Sequence, residues 1–358
     1  MLDRTPADGA EARSRLRAAR PGQVMAALDL GTNNCRLLVA RQGASGFQVI
    51  DAFSRIVRLG EGVSQSGELT LAAMDRTIDA LKICSAKMQR RGVSLMRSVA
   101  TEACRRAANG LGFLERSRAE TGIELEIITT SEEAKLAFSG CMPLLDRAVP
   151  FAIVFDIGGG STELGWIQLE PGRHPRIIAW HSMPLGVVTL SEHFGAEAAA
   201  DEDPAVFYER MVDDVQANLA PFAQAIGAHG LIARNQVQLL GTSGTVTTLS
   251  GIRMELPRYD RSVVDGSFLE FGDVDRISRR LAAQTCAERS TNPCIGTERA
   301  DLVVAGCAIL SAVCRQWPIG RLRVADRGVR EGILMSLMTG TAPDSVYQGH
   351  GRHGGNGA

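Results

Sequence analysis

Two acidic residues, Asp29 and Asp156, stand 127 residues apart in the same local setting. The first sits in Ala-Ala-Leu-Asp-Leu-Gly-Thr-Asn-Asn-Cys-Arg-Leu, the second in Ile-Val-Phe-Asp-Ile-Gly-Gly-Gly-Ser-Thr-Glu-Leu. In both copies a β-rich apolar run ends in Asp-apolar-Gly, passes through small polar residues and resumes as a strand. A tight turn of this composition presents several backbone N–H groups and hydroxyls at one point, which suits it to cradle a phosphate. The donors are Gly31, Thr32, Asn33 and Asn34 in one copy and Gly158, Gly159, Gly160, Ser161 and Thr162 in the other. Two such turns, each on its own sheet, would grip a phosphate chain from both sides. Asp29, Asp156 and Glu163 are then carboxylates beside a polyanion, an arrangement that calls for a cation between them. Mg²⁺ (or Mn²⁺) is the natural choice, because it takes oxygen ligands from one or two carboxylates, phosphates and waters.

The elements that must hold these turns follow from periodicity and punctuation. Met25 to about Arg58 reads as strands. A helix follows from Leu71 to about Arg91, with Thr70 as N-cap and Gly92 as its stop, and Met74, Ile78, Leu81 and Met88 on one face. Leu95–Ala100 reads as a strand, 123–129 as another, and Ser131 as the cap of a helix whose first turn holds Glu132 and Glu133. Two acidic residues there would favour a helix N-terminus with or without a catalytic role. Beyond the second copy come strands near 177–182, a helix over 204–226 and a short strand over 237–240. That strand ends in Gly241-Thr242-Ser243-Gly244-Thr245, glycines at a strand-to-helix junction. Helices at about 273–289 and 298–316, a strand over 322–325 and a last helix from about 328 to 340 complete an alternating α/β pattern.

At 358 residues the chain is long enough for two cores. With 45% apolar and 22% charged residues it reads as an ordinary globular protein. A net charge of −1 gives no global pull toward nucleic acid or a membrane surface, and no apolar run reaches the roughly 20 residues that cross a bilayer. Neither is expected as a partner. The eight cysteines are scattered without a Cys-x-x-Cys pair, which reads as buried thiols in a reducing compartment. The five arginines among residues 1–23 lack a signal-peptide core. Residues 1–23 are expected as a disordered leader, 341–358 as a disordered tail, and the protein as cytoplasmic.

The three turns occur in the order of the phosphate loops of the actin-like ATPase superfamily, which the chain resembles. Three further stretches, Ala100-Thr-Glu-Ala-Cys-Arg105, Ser131-Glu-Glu-Ala134 and Ala325-Asp-Arg-Gly-Val-Arg-Glu-Gly332, resemble signatures of the exopolyphosphatase/guanosine pentaphosphate phosphohydrolase (Ppx/GppA) family, as does Glu298-Arg-Ala-Asp301. The resemblance covers about residues 24–340. It implies a duplicated actin-like (ribonuclease H-like) α/β fold with an interdomain cleft. Domain I would span 24–131, completed by 328–340, and domain II would span 132–327. Longer members carry extra C-terminal helical domains with a His-Asp signature. No such block follows Gly340, so the chain is expected to be the short, two-domain form, with a homodimer expected by analogy.

The resemblance also implies roles. Glu133, the second Glu of the Glu-Glu-Ala stretch, would be the general base, with Glu102 a rival acid in a peripheral place. Asp156 and Glu163 would be the metal-side pair, joined by Asp29. Arg105 would face substrate phosphates with its guanidinium fork, as would Arg330, with Arg327 at the same turn as a further candidate. Gly241, Thr242, Ser243, Gly244 and Thr245 would form the third phosphate loop. The implied reaction is attack of a Glu133-activated water on the terminal phosphoryl group of inorganic polyphosphate, releasing orthophosphate. Guanosine pentaphosphate is the alternative substrate. A sugar or acid kinase of the same superfamily and a non-catalytic nucleotide-binding scaffold are the rivals.

Overall fold

The computed structural model describes residues 18–44, 46–195 and 203–340. The first half of the chain runs β1 (Val24–Leu30), β2 (Asn34–Gly43), β3 (Gly46–Ile56), α1 (Val63–Ser66), α2 (Leu71–Arg90), β4 (Leu95–Ala100), α3 (Glu102–Arg106), α4 (Gly110–Thr121), β5 (Glu126–Ile127) and α5 (Thr130–Cys141). The second opens with β6 (Phe151–Ile157), β7 (Thr162–Gln168), β8 (Arg176–Met183), α6 (Val187–Gly195), α7 (Pro204–Ile226) and α8 (His229–Ile232). It continues with β9 (Val237–Thr242), α9 (Gly244–Arg253), α10 (Arg261–Val264), β10 (Phe268–Glu270), α11 (Phe271–Ala283) and α12 (Cys286–Ser290). It closes with α13 (Val303–Gln316), β11 (Arg321–Ala325) and α14 (Val329–Thr339).

The duplication extends to topology. One sheet has the order β3-β2-β1-β4-β5; the other, from its β8 edge, reads β8-β7-β6-β9-β11-β10. In each, an antiparallel hairpin (β1–β2, β6–β7) is flanked by a third antiparallel strand and by parallel strands on the other side. This is the duplicated actin-like α/β architecture. The register pairs Asp29 with Arg36 in the first hairpin and Asp156 with Glu163 in the second.

Helices α5 and α14 lie between the two sheets. Leu136 and Phe138 of α5 and Ile333 and Leu337 of α14 share one core with Met25, Ala27 and Leu38 of one sheet and Val154 and Ile167 of the other. The two helices touch through glycine: a Cβ at Gly140 would strike the Gly328 carbonyl, and one at Gly332 the Leu136 carbonyl. Each lobe also has its own core, built around α2 in one and around α7 and α13 in the other.

Several expectations are corrected. Residues 18–23, placed in a disordered leader, dock on the fold: Ala19 is buried in the inter-sheet core and its N–H donates to Leu337 O at 3.0 Å. Residues 1–17 and the expected tail, 341–358, lie outside the described residues. Thr129, not Ser131, caps α5, accepting from Glu132 N at 3.2 Å. Only 126–127 of the expected 123–129 strand pair in the sheet. The helix expected over 273–289 breaks at Gln284, whose backbone is extended, because Thr285 and Glu288 form a capping box that starts α12. The helix expected from 298 begins at Val303, leaving Arg299 in a turn.

Candidate active site

The two hairpin tips meet. A Cβ on Gly159 would lie 2.9 Å from Thr32 Cβ and 3.2 Å from Asn33 N, and one on Gly160 would lie 3.0 Å from Thr32 Oγ1. Only glycine allows the second tip to come this close to the first. Between them lies a cavity of about 130 Å³ lined by Asp29, Gly31 to Asn34, Asp156, Gly158 to Ser161, Glu163 and Glu133. Both Asp-apolar-Gly turns therefore face one crevice.

Neighbouring elements hold the tips by their carbonyls. Asn33 O accepts from Val57 N and Arg58 N, and Thr32 O from Gly60 N. Gly158 O and Gly159 O accept from Val187 N and Val188 N at the start of α6. The backbone N–H groups of Thr32, Asn33, Gly159 and Gly160 have no acceptor among the described residues. Unmet donors in a buried turn are costly unless something arrives to accept them.

Glu132 and Glu133 point to different places. Glu132 pairs with Arg97 at 2.6 Å on the outer side. Glu133 lines the cavity and meets Arg105 Nη2 at 3.1 Å. The same guanidinium binds Glu102 at 2.5 Å and donates through Nη1 to Ile128 O at 2.7 Å. Burial pushes the Glu133 carboxyl up to about 8, helped by the charge of Glu163, while Arg105 pulls it back. Burial likewise raises Asp156 to about 7 against the pull of Arg36, with Asp29 and Glu133 adding to the rise. Asp29 is also raised by burial. Glu163 is raised by burial and by Asp156, although Ser161 Oγ and Ser182 Oγ donate to it at 2.7 and 3.0 Å.

Four carboxyl groups held above their ordinary range by burial around one cavity would each be helped to ionise by a cation among them. The donor set suits an oxygen-seeking cation. Among the described residues no side-chain hydrogen bond reaches the carboxylates of Asp29 and Asp156, which line the cavity, and Asn33 Oδ1 and Asn34 Oδ1 are buried without partners. Among those residues no three of His, Cys, Asp and Glu gather closely enough to enclose a metal. A cation here would take one or two carboxylates and draw its remaining ligands from water and phosphate, as Mg²⁺ commonly does.

The other expected residues divide. Ser243, Gly244 and Thr245 reach the cavity, at the N-terminus of α9. Gly241 does not: it lies within β9 against the Phe155 ring. Thr162 also turns away, donating to Leu185 O at 2.7 Å. Thr242 and Arg330 line a neighbouring cavity, and Thr242 Oγ1 donates to Arg327 O. Arg105 stands behind Glu133 rather than in the wall, because Glu102 and Glu133 occupy its fork. Arg327 pairs with Asp265 at 2.8 Å.

Sequence reasoning missed Arg36 and Arg299, which line the cavity, and underrated Glu102, which also reaches it. Arg36 had a signal: it occupies in the first copy the slot that Glu163 holds in the second. Away from the turns, polar contacts join the two halves of the chain. Arg58 pairs with Asp301 at 2.8 Å, and Glu192 accepts from Gly62 N at 2.9 Å and from Ser64 Oγ.

A model of the Ppx/GppA phosphatase family matches residues 38–340. The chain is 31% identical over 329 residues to exopolyphosphatase 2 of Mycobacterium tuberculosis, covering 87% of this chain and 98% of that protein. Among solved structures, an exopolyphosphatase from Cytophaga hutchinsonii aligns with a TM-score of 0.79 at 25% identity, over 90% of this chain and 99% of its own. The Aquifex aeolicus Ppx/GppA family member aligns with a TM-score of 0.69 at 28% identity, over 88% and 97%.

Proposed function

The chain belongs to the Ppx/GppA phosphatase family, and from that premise we propose that it is an exopolyphosphatase, removing the terminal phosphoryl group of inorganic polyphosphate as orthophosphate. It is a phosphoanhydride hydrolase, and the reading adds its substrate and the parts its residues play. What supports it most is one observation: Glu133, largely shielded from solvent, lines the cavity where both hairpin tips converge, which also holds N–H groups without acceptors.

The terminal phosphoryl group sits between the tips, its oxygens taking the N–H groups of Thr32, Asn33, Gly159 and Gly160. Donors preset around a phosphoryl group stabilise the charge it carries in the transition state. Glu133 accepts a proton from the attacking water, and an acceptor titrating near neutrality suits that task. Arg105 holds the Glu133 carboxylate in place through its second bond to Glu102. The shortened chain leaves as the anion. One or two of the carboxylates Asp156, Glu163 and Asp29 would hold Mg²⁺ or Mn²⁺, which would supply positive charge to the phosphate oxygens.

The test is phosphate release with Mg²⁺ from long polyphosphate, guanosine pentaphosphate and ATP in parallel. The reading expects the highest kcat/KM on polyphosphate. Preference for guanosine pentaphosphate would move the assignment to the pentaphosphate phosphohydrolase, and phosphate transfer to an alcohol or carboxylate would make the protein a kinase. Glu133→Gln should lower kcat about 10²- to 10⁴-fold, the usual worth of a general base, with KM little changed.

A further inference from the structure

Both hairpin tips are aimed from behind, through their carbonyls. A trans peptide points its oxygen and its N–H in opposite directions. Whatever holds the Thr32 carbonyl therefore aims the Asn33 N–H, and whatever holds the carbonyls of Gly158 and Gly159 aims the N–H groups of Gly159 and Gly160. For the second tip that element is α6: Val187 N donates to Gly158 O at 3.0 Å and Val188 N to Gly159 O at 2.8 Å. For the first tip it is the segment that runs from Val57 into α1. Gly60 N donates to Thr32 O at 2.9 Å, and Val57 N and Arg58 N donate to Asn33 O at 2.9 and 3.1 Å. The fit is close, since a Cβ at Gly60 would strike Thr32 Cγ2.

Side chains tie these two backing elements together. Glu192 of α6 accepts from Gly62 N at 2.9 Å and from Ser64 Oγ. The Arg58 guanidinium grips both oxygens of Asp301, at 2.8 and 3.2 Å, and donates to Glu298 O at 3.2 Å. Between the segment and the second lobe lies a cavity of about 160 Å³, walled by Asn33, Arg58, Val188, Glu192, Asp301 and Leu302. A void leaves packing little hold over the spacing of the elements on either side of it, so that task falls to the polar ties. The Arg58 and Asp301 side chains are 33% and 40% exposed, and a pair so exposed adds little to folding stability. Arg58 nevertheless makes its contacts with φ at +48°, a left-handed backbone that costs energy in a residue with a side chain. Strain spent on a pair of small worth to stability points to a role in function.

We propose that Arg58 and Glu192 are positioning residues for the hydrolysis, fixing the spacing and angle of the two donor-bearing tips without touching the substrate. The proposal rests on the reading of the tips as the seat of the terminal phosphoryl group. The two tips belong to different lobes, and the donors on both must be in place together when charge develops on the phosphoryl oxygens. Losing a tie leaves each hairpin folded and each carbonyl bonded as before, but lets one tip drift against the other. The loss therefore falls on the transition state rather than on folding or ground-state binding.

Three variants of the full-length protein test this, assayed with Mg²⁺ on whichever of long polyphosphate, guanosine pentaphosphate and ATP it hydrolyses fastest. Arg58→Asn removes the guanidinium and keeps the N–H on Asn33 O, with a residue that tolerates left-handed backbone. Glu192→Ala removes the other tie. Arg58→Asp combined with Asp301→Arg reverses the ion pair. Each of the first two should lower kcat about ten- to a hundredfold, with KM changed less than about twofold and the melting temperature nearly constant. The reversed pair should recover most of the kcat that Arg58→Asn loses. Unchanged kcat in either single variant, a melting temperature that falls by several degrees in step with activity, or no recovery in the reversed pair would overturn the proposal. Failure of the unmodified protein to release phosphate from any of the three substrates would overturn the reading of the site and this proposal with it, a result visible before any variant is made.

Discussion

Glu132 and Glu133 are identical in type and adjacent in sequence, and the helix they open separates them. One turn of α5, capped by Thr129, sends Glu132 outward to Arg97 and Glu133 into the cavity. Sequence alone left both as ordinary helix-start acids, and the resemblance to the Ppx/GppA family singled out the second. Arg105 shows what residue type cannot reveal. It was expected on substrate phosphates and instead faces two carboxylates, because a guanidinium beside buried acids is held by them first. Its removal therefore has a sign. Arg105 lowers the Glu133 carboxyl, so Arg105→Ala raises it further and the basic form appears only at higher pH. The acidic limb of the kcat profile should move upward in pH by about one unit, roughly the free energy of one close charge pair. A profile that keeps its position while losing amplitude would assign Arg105 to the phosphates after all.

At the level of elements, the two hairpins were legible because a period-two pattern and a glycine turn are local signals. Their mutual contact was not, since nothing in either copy says that Gly159 will lie on Thr32. The same holds for Gly140 and Gly332, which read as unremarkable helical glycines and are the points where α5 and α14 cross. These two classes of glycine should respond differently. Gly159→Ala must part the tips by a few tenths of an ångström and meets a threonine side chain first. Catalysis should fall about tenfold or more while the melting temperature changes little, since misplacement of reacting groups is felt in rate. Gly332→Ala drives a Cβ into the Leu136 carbonyl, which cannot yield without moving a buried helix. Overpacking of this kind costs about 1–3 kcal/mol or more, and thermal unfolding should register it as a loss of several degrees. If Gly332→Ala melted like the unmodified protein, the helix crossing would not be as tight as this.

Across the whole molecule, both lobes contribute acids to one crevice, and stability must reflect that. Asp29 comes from one sheet, Asp156 and Glu163 from the other, and Glu133 from a helix between them. Each titrates higher folded than unfolded. The folded state therefore binds more protons between about pH 4 and pH 8, and by linkage it loses stability as pH rises through that window. Asp51, lowered to about 2 by Lys87 and Arg91, acts in the opposite sense but below that range, losing its contribution only as pH falls under about 4. His181, lowered by burial, also opposes the trend, but only on the acidic side of its ordinary value of 6.5. The metal-free protein should thus melt several degrees lower at pH 8 than at pH 6. Magnesium should reverse the loss, because a cation among these oxygens replaces the protons they would otherwise hold. Its stabilisation should be larger at pH 8 than at pH 6, read as melting temperature against Mg²⁺ concentration at the two pH values. Equal gains at both would mean that the ion binds elsewhere, and that the crevice depends on substrate alone to offset the N–H groups and arginines gathered around it.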